Sequence, residues 1–292
     1  MMKCVFCGSN SNITIANNVR DSSKNKIIQC KKCNHIQLYP IPLRGEDQIF
    51  YDNNLQEKNQ NQFSSLQEHK KKSVVDTKRR IDFVSKICKK KDRILEIGSG
   101  YGFFLEGMKK NGFDITGLEI SKERREFSKK VTKSKVLNIN LMYENLDIGK
   151  FDVIVFFHVL EHISDSVIFL KNLKKFLNKN GKIIIEVPNY DDFQIELNSF
   201  YKNWYFQRAH IHYFTPKTLK NTLQKSGFKN IKIMGIQRYG IGNMFNWKIN
   251  HKPQLKSPEF EFKEKYQWID KNYKTHLESN LISDTIIGII SQ

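Results

Sequence analysis

The chain has 292 residues, enough for one full α/β domain with appendages and a substantial core. Lys and Arg total 49 against 30 Asp and Glu, and the formal charge of +19 favours anionic partners: nucleic acid, nucleotide-linked sugars, phosphorylated glycans or a membrane surface. No stretch approaches the ~18 apolar residues of a membrane span, and Met1-Met2-Lys3-Cys4 has no apolar run behind it, so neither a span nor a secretory signal is expected and the chain reads as cytoplasmic.

Four of the five cysteines form two close pairs, Cys4-x-x-Cys7-Gly8 and Cys30-x-x-Cys33-Asn34. Two residues between thiolates let a tight turn aim both sulfurs at one ion. Gly and Asn after each pair tolerate the left-handed backbone of such a knuckle. Four soft ligands without an open position predict a closed, structural zinc site. Asn12 to Ile15 and Lys26 to Gln29 suit two short strands between the knuckles, so residues 1–45 resemble a zinc ribbon. Cys88 reads as packing.

Pro40-Ile41-Pro42 is a natural linker, and residues 46–90 form a polar, helical linker in which Val74, Arg80, Ile81, Val84 and Ile87 fall near helical spacing. From Arg93 the pattern alternates. Strands are expected at Arg93–Ile97, Asp114–Leu118, Lys135–Ile139, Asp152–Phe157 and Lys182–Val187. Helices are expected at about Tyr101–Lys110, at Ser121–Lys130 with Ser121 as N-cap, and after Phe157 to about Leu177. This βαβαβ order implies a Rossmann-like α/β fold with a parallel, doubly wound sheet over residues 91–292.

The first of these strands runs into Glu96-Ile97-Gly98-Ser99-Gly100-Tyr101-Gly102, and glycines at a strand-to-helix turn let backbone approach a ligand closely. Glu119, 21 positions after Gly98, ends the second strand where a carboxylate can accept from ribose hydroxyls. Alone, this fits a dinucleotide or a nucleoside cofactor. The acidic Glu96 inside the strand and the E-x-G-x-G-x-G spacing favour S-adenosylmethionine (SAM). So do the later segments Phe151–Ile154, Leu173–Gly181 and Ile183–Ile185, which resemble those of Rossmann-like SAM methyltransferases. Glu96, Gly98, Gly100, Gly102 and Glu119 are the expected cofactor-binding residues.

The resemblance extends to His158-Val159-Leu160-Glu161-His162, Val187-Pro188-Asn189, His210-Ile211-His212-Tyr213-Phe214-Thr215 and Ser226-Gly227-Phe228. Together these resemble the methyltransferase-23-like group, many of whose members act in bacterial surface-polysaccharide and secondary-metabolite pathways, several with a similar cysteine module. In such domains Asp284–Ile290 would be a final antiparallel strand beside a sixth at about Lys229–Ile236. Insertions would then lie at about 189–214 and 238–283. The opening of the second, Gln237 to Asn243, resembles a substrate-side segment of surface-glycan members, which implies substrate roles for Arg238, Tyr239 and Asn243.

His158, Glu161 and His162 follow the fourth strand, whose carboxyl end faces the donor crevice. With His210 or His212 they are the catalytic candidates, as a general base or as ligands of a divalent metal. Small-RNA 3′-end 2′-O-methyltransferases have a similar metal-binding Glu-x-x-Glu-His, though His158 stands here for the first Glu. Trp204, Tyr205, Phe206 and Tyr213 suit either an acceptor platform or core.

The leading expectation is SAM-dependent O-methylation of a small anionic or sugar-containing acceptor: a sugar, nucleotide sugar or phosphorylated or phosphoramidate precursor of a capsule-type polysaccharide. RNA methylation with ribbon-mediated recognition ranks second, since the charge suits RNA. A non-catalytic ribbon scaffold ranks third. The sequence does not speak to oligomeric state.

Overall fold

The computed structural model describes residues 2–42, 66–141, 147–252, 260 and 262–291, without the side chain of Gln67. The expected helical segment therefore falls outside the described residues from 46 to 65. From 66 on it is one helix, α1 (Leu66–Ile87). Val84 and Ile81 face inward as the spacing predicts, whereas Val74 and Val75 are exposed.

The main sheet has seven strands in the order β10-β11-β8-β7-β4-β5-β6. They are β4 (Arg93–Ile97), β5 (Asp114–Leu118), β6 (Val136–Leu137), β7 (Phe151–Phe157), β8 (Leu177–Pro188), β10 (Asn230–Ile236) and β11 (Thr285–Ser291). The β6 to β8 strands pair in parallel, and β11 lies antiparallel between β8 and β10. This is the expected α/β class with its antiparallel last strand. Neighbouring residues on one strand serve opposite faces: Ile183 and Ile185 join one core with Phe169, Leu170, Leu219 and Leu223, while Ile184 joins the other with Val84, Phe104 and Met108. Helices on both faces explain why the strands read as unbroken apolar runs.

The helices after α1 are α2 (Phe103–Lys110), α3 (Lys122–Thr132), α4 (Ser166–Leu173), α5 (Phe193–Leu197), α6 (Ser199–Tyr205), α7 (Pro216–Lys225), α8 (Ile241–Asn250) and α9 (Gln267–Ser279). Three local expectations change. Ser121 precedes α3 but its side chain makes no capping bond; its N–H is given to the Glu119 carboxylate instead. The segment after β7 is a short 3-10 turn, Leu160–His162, before α4. The strand expected at Lys182–Val187 starts earlier, at Leu177, and carries Asn180-Gly181 as an irregularity between the Phe151–Leu177 and Val153–Lys182 pairs.

The cysteine module has a third strand that its sequence did not announce. The strands β1 (Asn12–Ala16), β2 (Lys26–Cys30) and β3 (Ile36–Tyr39) form an antiparallel sheet, and β9 (His212–Tyr213) of the larger unit adds a fourth strand to it. Ile36 and Leu38 pack with Tyr205, Phe206, Tyr213 and Trp247. The aromatic run 204–206 and Tyr213 are therefore mainly core against the ribbon. Gly8 (φ 76) and Asn34 (φ 60) adopt the left-handed backbone that follows each knuckle.

Ile184 is fully buried at the centre of the sheet. Ile184→Ala should destabilise the fold by about 2–5 kcal/mol in denaturant titration, whereas Val75→Ala on the exposed face of α1 should change it by less than about 0.5 kcal/mol. Equal effects would contradict this layering.

Candidate functional site

The strands β4, β5, β7 and β8 are adjacent and parallel, so their carboxyl ends share one side of the sheet, where parallel sheets form their ligand crevice. At β4, Gly98 and Ser99 donate backbone N–H bonds to the Leu118 carbonyl (2.8 and 3.0 Å), tying the glycine turn to β5. Glu119 completes the tie: one carboxylate oxygen accepts from Gly100 N–H (2.7 Å), the other from Ser121 N–H (2.8 Å). Gly98 has φ 71, and a Cβ there would lie 2.6 Å from the Val159 methyl, so only glycine lets the turn pass this close to the segment after β7. A Cβ on Gly100 would meet nothing within 4 Å: it would project into open space. Gly102 precedes α2. Glu96 is buried within β4, and its Oε2 has no partner. Burial, reinforced by Glu119, pushes its carboxyl well above the usual range despite Arg80 nearby.

At β7 and β8 the polar groups crowd. His158 has φ 54 and donates its backbone N–H to the Glu186 carbonyl. Its ring lies between two buried carboxylates, with Nδ1 3.3 Å from Glu161 and Nε2 3.3 Å from Glu186. Burial alone would lower this imidazole, but the two carboxylates overcome it and raise it above the ordinary value, favouring the imidazolium. Glu161 shows the converse: burial would raise it, yet the His158 bond and the charges of His162 and His158 hold it at about 2. Glu186 also receives Arg79 (2.9 and 3.0 Å) and Arg80 (3.0 and 2.5 Å) from α1. Arg238 closes the cluster, with Nη1 3.5 Å from His158 and Nε 3.1 Å from Asp284.

The candidate histidines separate. His162 donates Nδ1–H to the Ala209 carbonyl (2.7 Å), and its Nε2 lies 3.9 Å from Glu161. His210 stacks edge-on against His162, and one ligand atom from each of Glu161, His162 and His210 lies within 4.8 Å of the others. The Glu161 oxygen beside His162 is Oε1, at 3.9 Å from Nε2, and Oε2 is buried without a partner. Such a trio could hold a divalent ion or relay a proton. His212, expected beside the donor, is instead turned toward the ribbon. Its Nε2 is 2.8 Å from the Ile163 carbonyl and its Nδ1 2.9 Å from His35, and burial holds it at about 4, so it is a neutral bridge in the core. Of the expected substrate residues, Arg238 enters the crevice. Tyr239 is 48% exposed with its N–H on Asp284, and Asn243 lies half-buried in the first turn of α8.

Several residues of the site gave no signal in sequence: Glu186, Arg79, Arg80 and Asp284. A Glu inside an apolar strand run was the one available hint. Away from the crevice, the four cysteine sulfurs lie within 4.8 Å of one another, with Cys4–Cys33 at 3.6 Å and Cys7–Cys30 at 3.5 Å. A tetrahedron with 2.3 Å zinc–sulfur bonds has edges of about 3.8 Å, so the donor set fits zinc.

A family model described as a methyltransferase domain matches residues 67–233. A ubiquinone biosynthesis O-methyltransferase of Coxiella burnetii is 24% identical over 172 residues, 55% of this chain and 73% of that protein. A tRNA U34 carboxymethyltransferase of Aliarcobacter butzleri is 32% identical over 155 residues, 49% of this chain and 50% of that protein. Among solved structures, a SAM-dependent methyltransferase from Archaeoglobus fulgidus superposes with a TM-score of 0.52 at 22% identity, covering 74% of this chain and 92% of the other.

Beside the crevice, Asp192 is buried next to Asp284 and accepts from Tyr201 (2.7 Å) and Gln194. Burial, then Asp284, raises its carboxyl to about 7 from 3.8. The raised value means that the fold favours the protonated form. This contribution is fully present below about pH 4 and is lost as pH rises through about 7, an effect of up to about 4 kcal/mol at ~1.4 kcal/mol per pH unit. Asp192→Asn should flatten this fall in chemical denaturation at pH 4 to 8; an unchanged slope would refute the assignment.

Proposed function

The chain belongs to the Methyltransf_23 family of methyltransferase domains and is a SAM-dependent methyltransferase, and from that premise we propose that its crevice transfers a methyl group to an oxygen of a small anionic acceptor. In this reading Glu96, Gly98, Gly100, Gly102 and Glu119 hold the cofactor. The orphaned Glu96 oxygen and the open space at Gly100 support that placement. Bound SAM supplies an electrophilic methyl on a sulfonium. The protein's task is to orient the acceptor in line with it and to manage the acceptor's charge or proton.

The exposure pattern of the ionic cluster carries the choice of acceptor. Its cations reach solvent: His158 at 24%, Arg79 at 23%, Arg238 at 21% and Arg80 at 19%. Their carboxylates do not: Glu186 at 0%, Glu161 at 1% and Asp284 at 1%, with Asp76 at 28% the acidic exception in this cluster. The crevice thus shows a cationic face to its occupant. A phosphoryl or phosphoramidate oxygen carries its own charge and needs orientation by Arg238 and the His158 imidazolium, not a base. A sugar hydroxyl would in addition give its proton to the Glu161–His162–His210 group, or bind there through a divalent ion. Likeness to surface-polysaccharide enzymes directs the pathway: a sugar, nucleotide sugar or phosphorylated precursor of such a glycan. RNA is the second reading, favoured by the +19 charge and by the tRNA-modifying relative.

Methyl transfer should be detected with nucleotide sugars, sugar phosphates or phosphoramidate, and not with RNA. Arg238→Ala and His158→Gln should reduce turnover on that acceptor at least tenfold, as expected when roughly 1.5 kcal/mol or more of charged hydrogen bonding is lost, while SAM affinity is kept. Transfer to RNA that collapses with salt would reverse the ranking. In calorimetry, Glu119→Ala should weaken SAM binding by roughly 1.5–3 kcal/mol, and Gly100→Ala should weaken it by intrusion of Cβ; unchanged affinity in both would remove the cofactor site. Activity lost to a mild chelator and restored by Mg²⁺ or Mn²⁺ would select the metal route over the base.

For the ribbon we propose one structural zinc on Cys4, Cys7, Cys30 and Cys33. Metal analysis should find one equivalent per chain, and the Cys4→Ser, Cys7→Ser double variant should lose it along with thermal stability. Less than about half an equivalent in wild type would count against the site.

A further inference from the structure

The helix α8 is apolar on two sides, and only one of them is covered. Asn246 and Trp247 face inward, where the Trp247 ring packs on Tyr201 and Trp204 of α6 with centroids 5.1 and 5.4 Å away. Phe245, Lys248 and Ile249 stand at i, i+3 and i+4 and share the outer side. Phe245 is 38% exposed and Ile249 58%, with Lys248 and Lys252 exposed beside them. Phe260 borders this side, packed against Gly242 with its ring 6.3 Å from that of Phe245. The surface continues onto α6. Asn198, its N-cap, donates to the Trp247 carbonyl at 2.7 Å, and Phe200, 51% exposed, stacks on His251 at 4.0 Å. Three large apolar side chains therefore meet solvent around the C-terminal half of α8.

The charge around them has one sign. Between Glu196 and Glu259 the sequence holds no Asp or Glu, while Lys and Arg recur through it. Both α6 and α8 lie inside this stretch. The stems of Lys248 and Lys252 can lie along apolar surface while their ammonium groups stay in water. Exposed apolar side chains bordered by basic ones have the chemistry that enters the headgroup layer of a bilayer and pairs with lipid phosphates. A second copy of the chain fits this face less well, since like charges would be brought together with no carboxylate of the stretch to pair them. The exposed Val131 of α3 lacks this character, because its helix also carries Glu123 and Glu126.

We propose that the outer side of α8, with Phe200 of α6, is a docking surface for an anionic lipid bilayer. Phe200, Phe245 and Ile249 enter the headgroup layer, and Lys248 and Lys252 meet the lipid phosphates. Arg238 precedes α8 by only a few residues, so a docked chain holds the acceptor side of its crevice near the membrane. The proposal adds a partner to the methyltransferase and does not depend on which acceptor is methylated.

Cosedimentation of the full-length protein with vesicles tests it, using phosphatidylcholine alone or with a quarter of phosphatidylglycerol. A chain of charge +19 is drawn to anionic vesicles through any basic face, so matched changes at the far edge of the sheet, on α3, decide the matter. Wild type should sediment with the anionic vesicles and far less with phosphatidylcholine. Phe245→Ser with Ile249→Ser should weaken partition roughly tenfold, through the apolar area withdrawn from lipid. Lys248→Gln with Lys252→Gln should weaken it roughly fivefold per lysine, as about 1 kcal/mol for each basic residue at an anionic surface implies. On α3, Val131→Ser, and Lys122→Gln with Lys130→Gln, should change it by less than about twofold, because their charges lie beyond screening distance of the docked face. All these side chains are exposed, and SAM calorimetry checks that each variant folds. Equal losses from the α8 and α3 sets, or no preference for anionic vesicles, overturn the proposal. So does a wild-type dimer in analytical ultracentrifugation that Phe245→Ser with Ile249→Ser dissociates, since a second copy would then own the face.

Discussion

Glu186 places a negative charge with no solvent exposure at the end of a central strand, and such a charge is tolerable only when cations come to it. Two guanidiniums arrive from α1 and an imidazole from the end of β7. Much of the crevice follows from that requirement. The long helix is latched to the sheet at Arg79 and Arg80. His158 is held in a left-handed backbone that it would otherwise avoid. Arg238 is drawn in beside it with Asp284 as its own counter-ion. Because Glu186, Glu161 and Asp284 are buried while the cations reach solvent, the cluster balances its charge internally and presents mainly cations, with Asp76 as the acidic exception.

The fold was largely legible because its signals are local. The glycine turn, the apolar strands and the spacing to Glu119 each act over a few residues, and the strand periodicity matches the two-faced core. The crevice was legible only in part. His158, Glu161 and His162 follow a strand end and could be placed by that fact. The partners that define their chemistry come from α1, β8 and residues near 238 and 284, and neither composition nor spacing forecasts a contact between Arg79 and Glu186. His212 shows the limit well. It alternates with His210 along an extended segment, so one of the two had to turn away from the crevice. Only the docked ribbon, through His35, decides which. The third ribbon strand was hidden for a similar reason: four residues beside a Pro-rich stretch look like linker until β9 pairs with them.

The two sheets also differ in how they are held. The large one carries its own cores on both faces. The small one shares its apolar cluster with Tyr201, Tyr205, Phe206 and Trp247 of the larger unit. A metal among the cysteines would organise the knuckles, yet the face of the ribbon away from them is finished by the other unit's aromatics. The ribbon is thus built into the larger unit instead of hanging from it.

The antiparallel strand β11 has a consequence for how such a chain can diversify. Its seven residues pair with β8 on one side and β10 on the other, and that pairing pins residues 236 and 285 opposite each other. The chain between residues 237 and 284, whose described part includes Arg238 and the helices α8 and α9, leaves and rejoins the sheet at two fixed points. The entropy of closing a loop grows only with the logarithm of its length, about 0.6 kcal/mol for each doubling. Segments of very different size and chemistry can therefore be exchanged between these two strands with little cost to the frame that holds the methyl donor. The same architecture keeps one half of the reaction constant and leaves the other open to replacement.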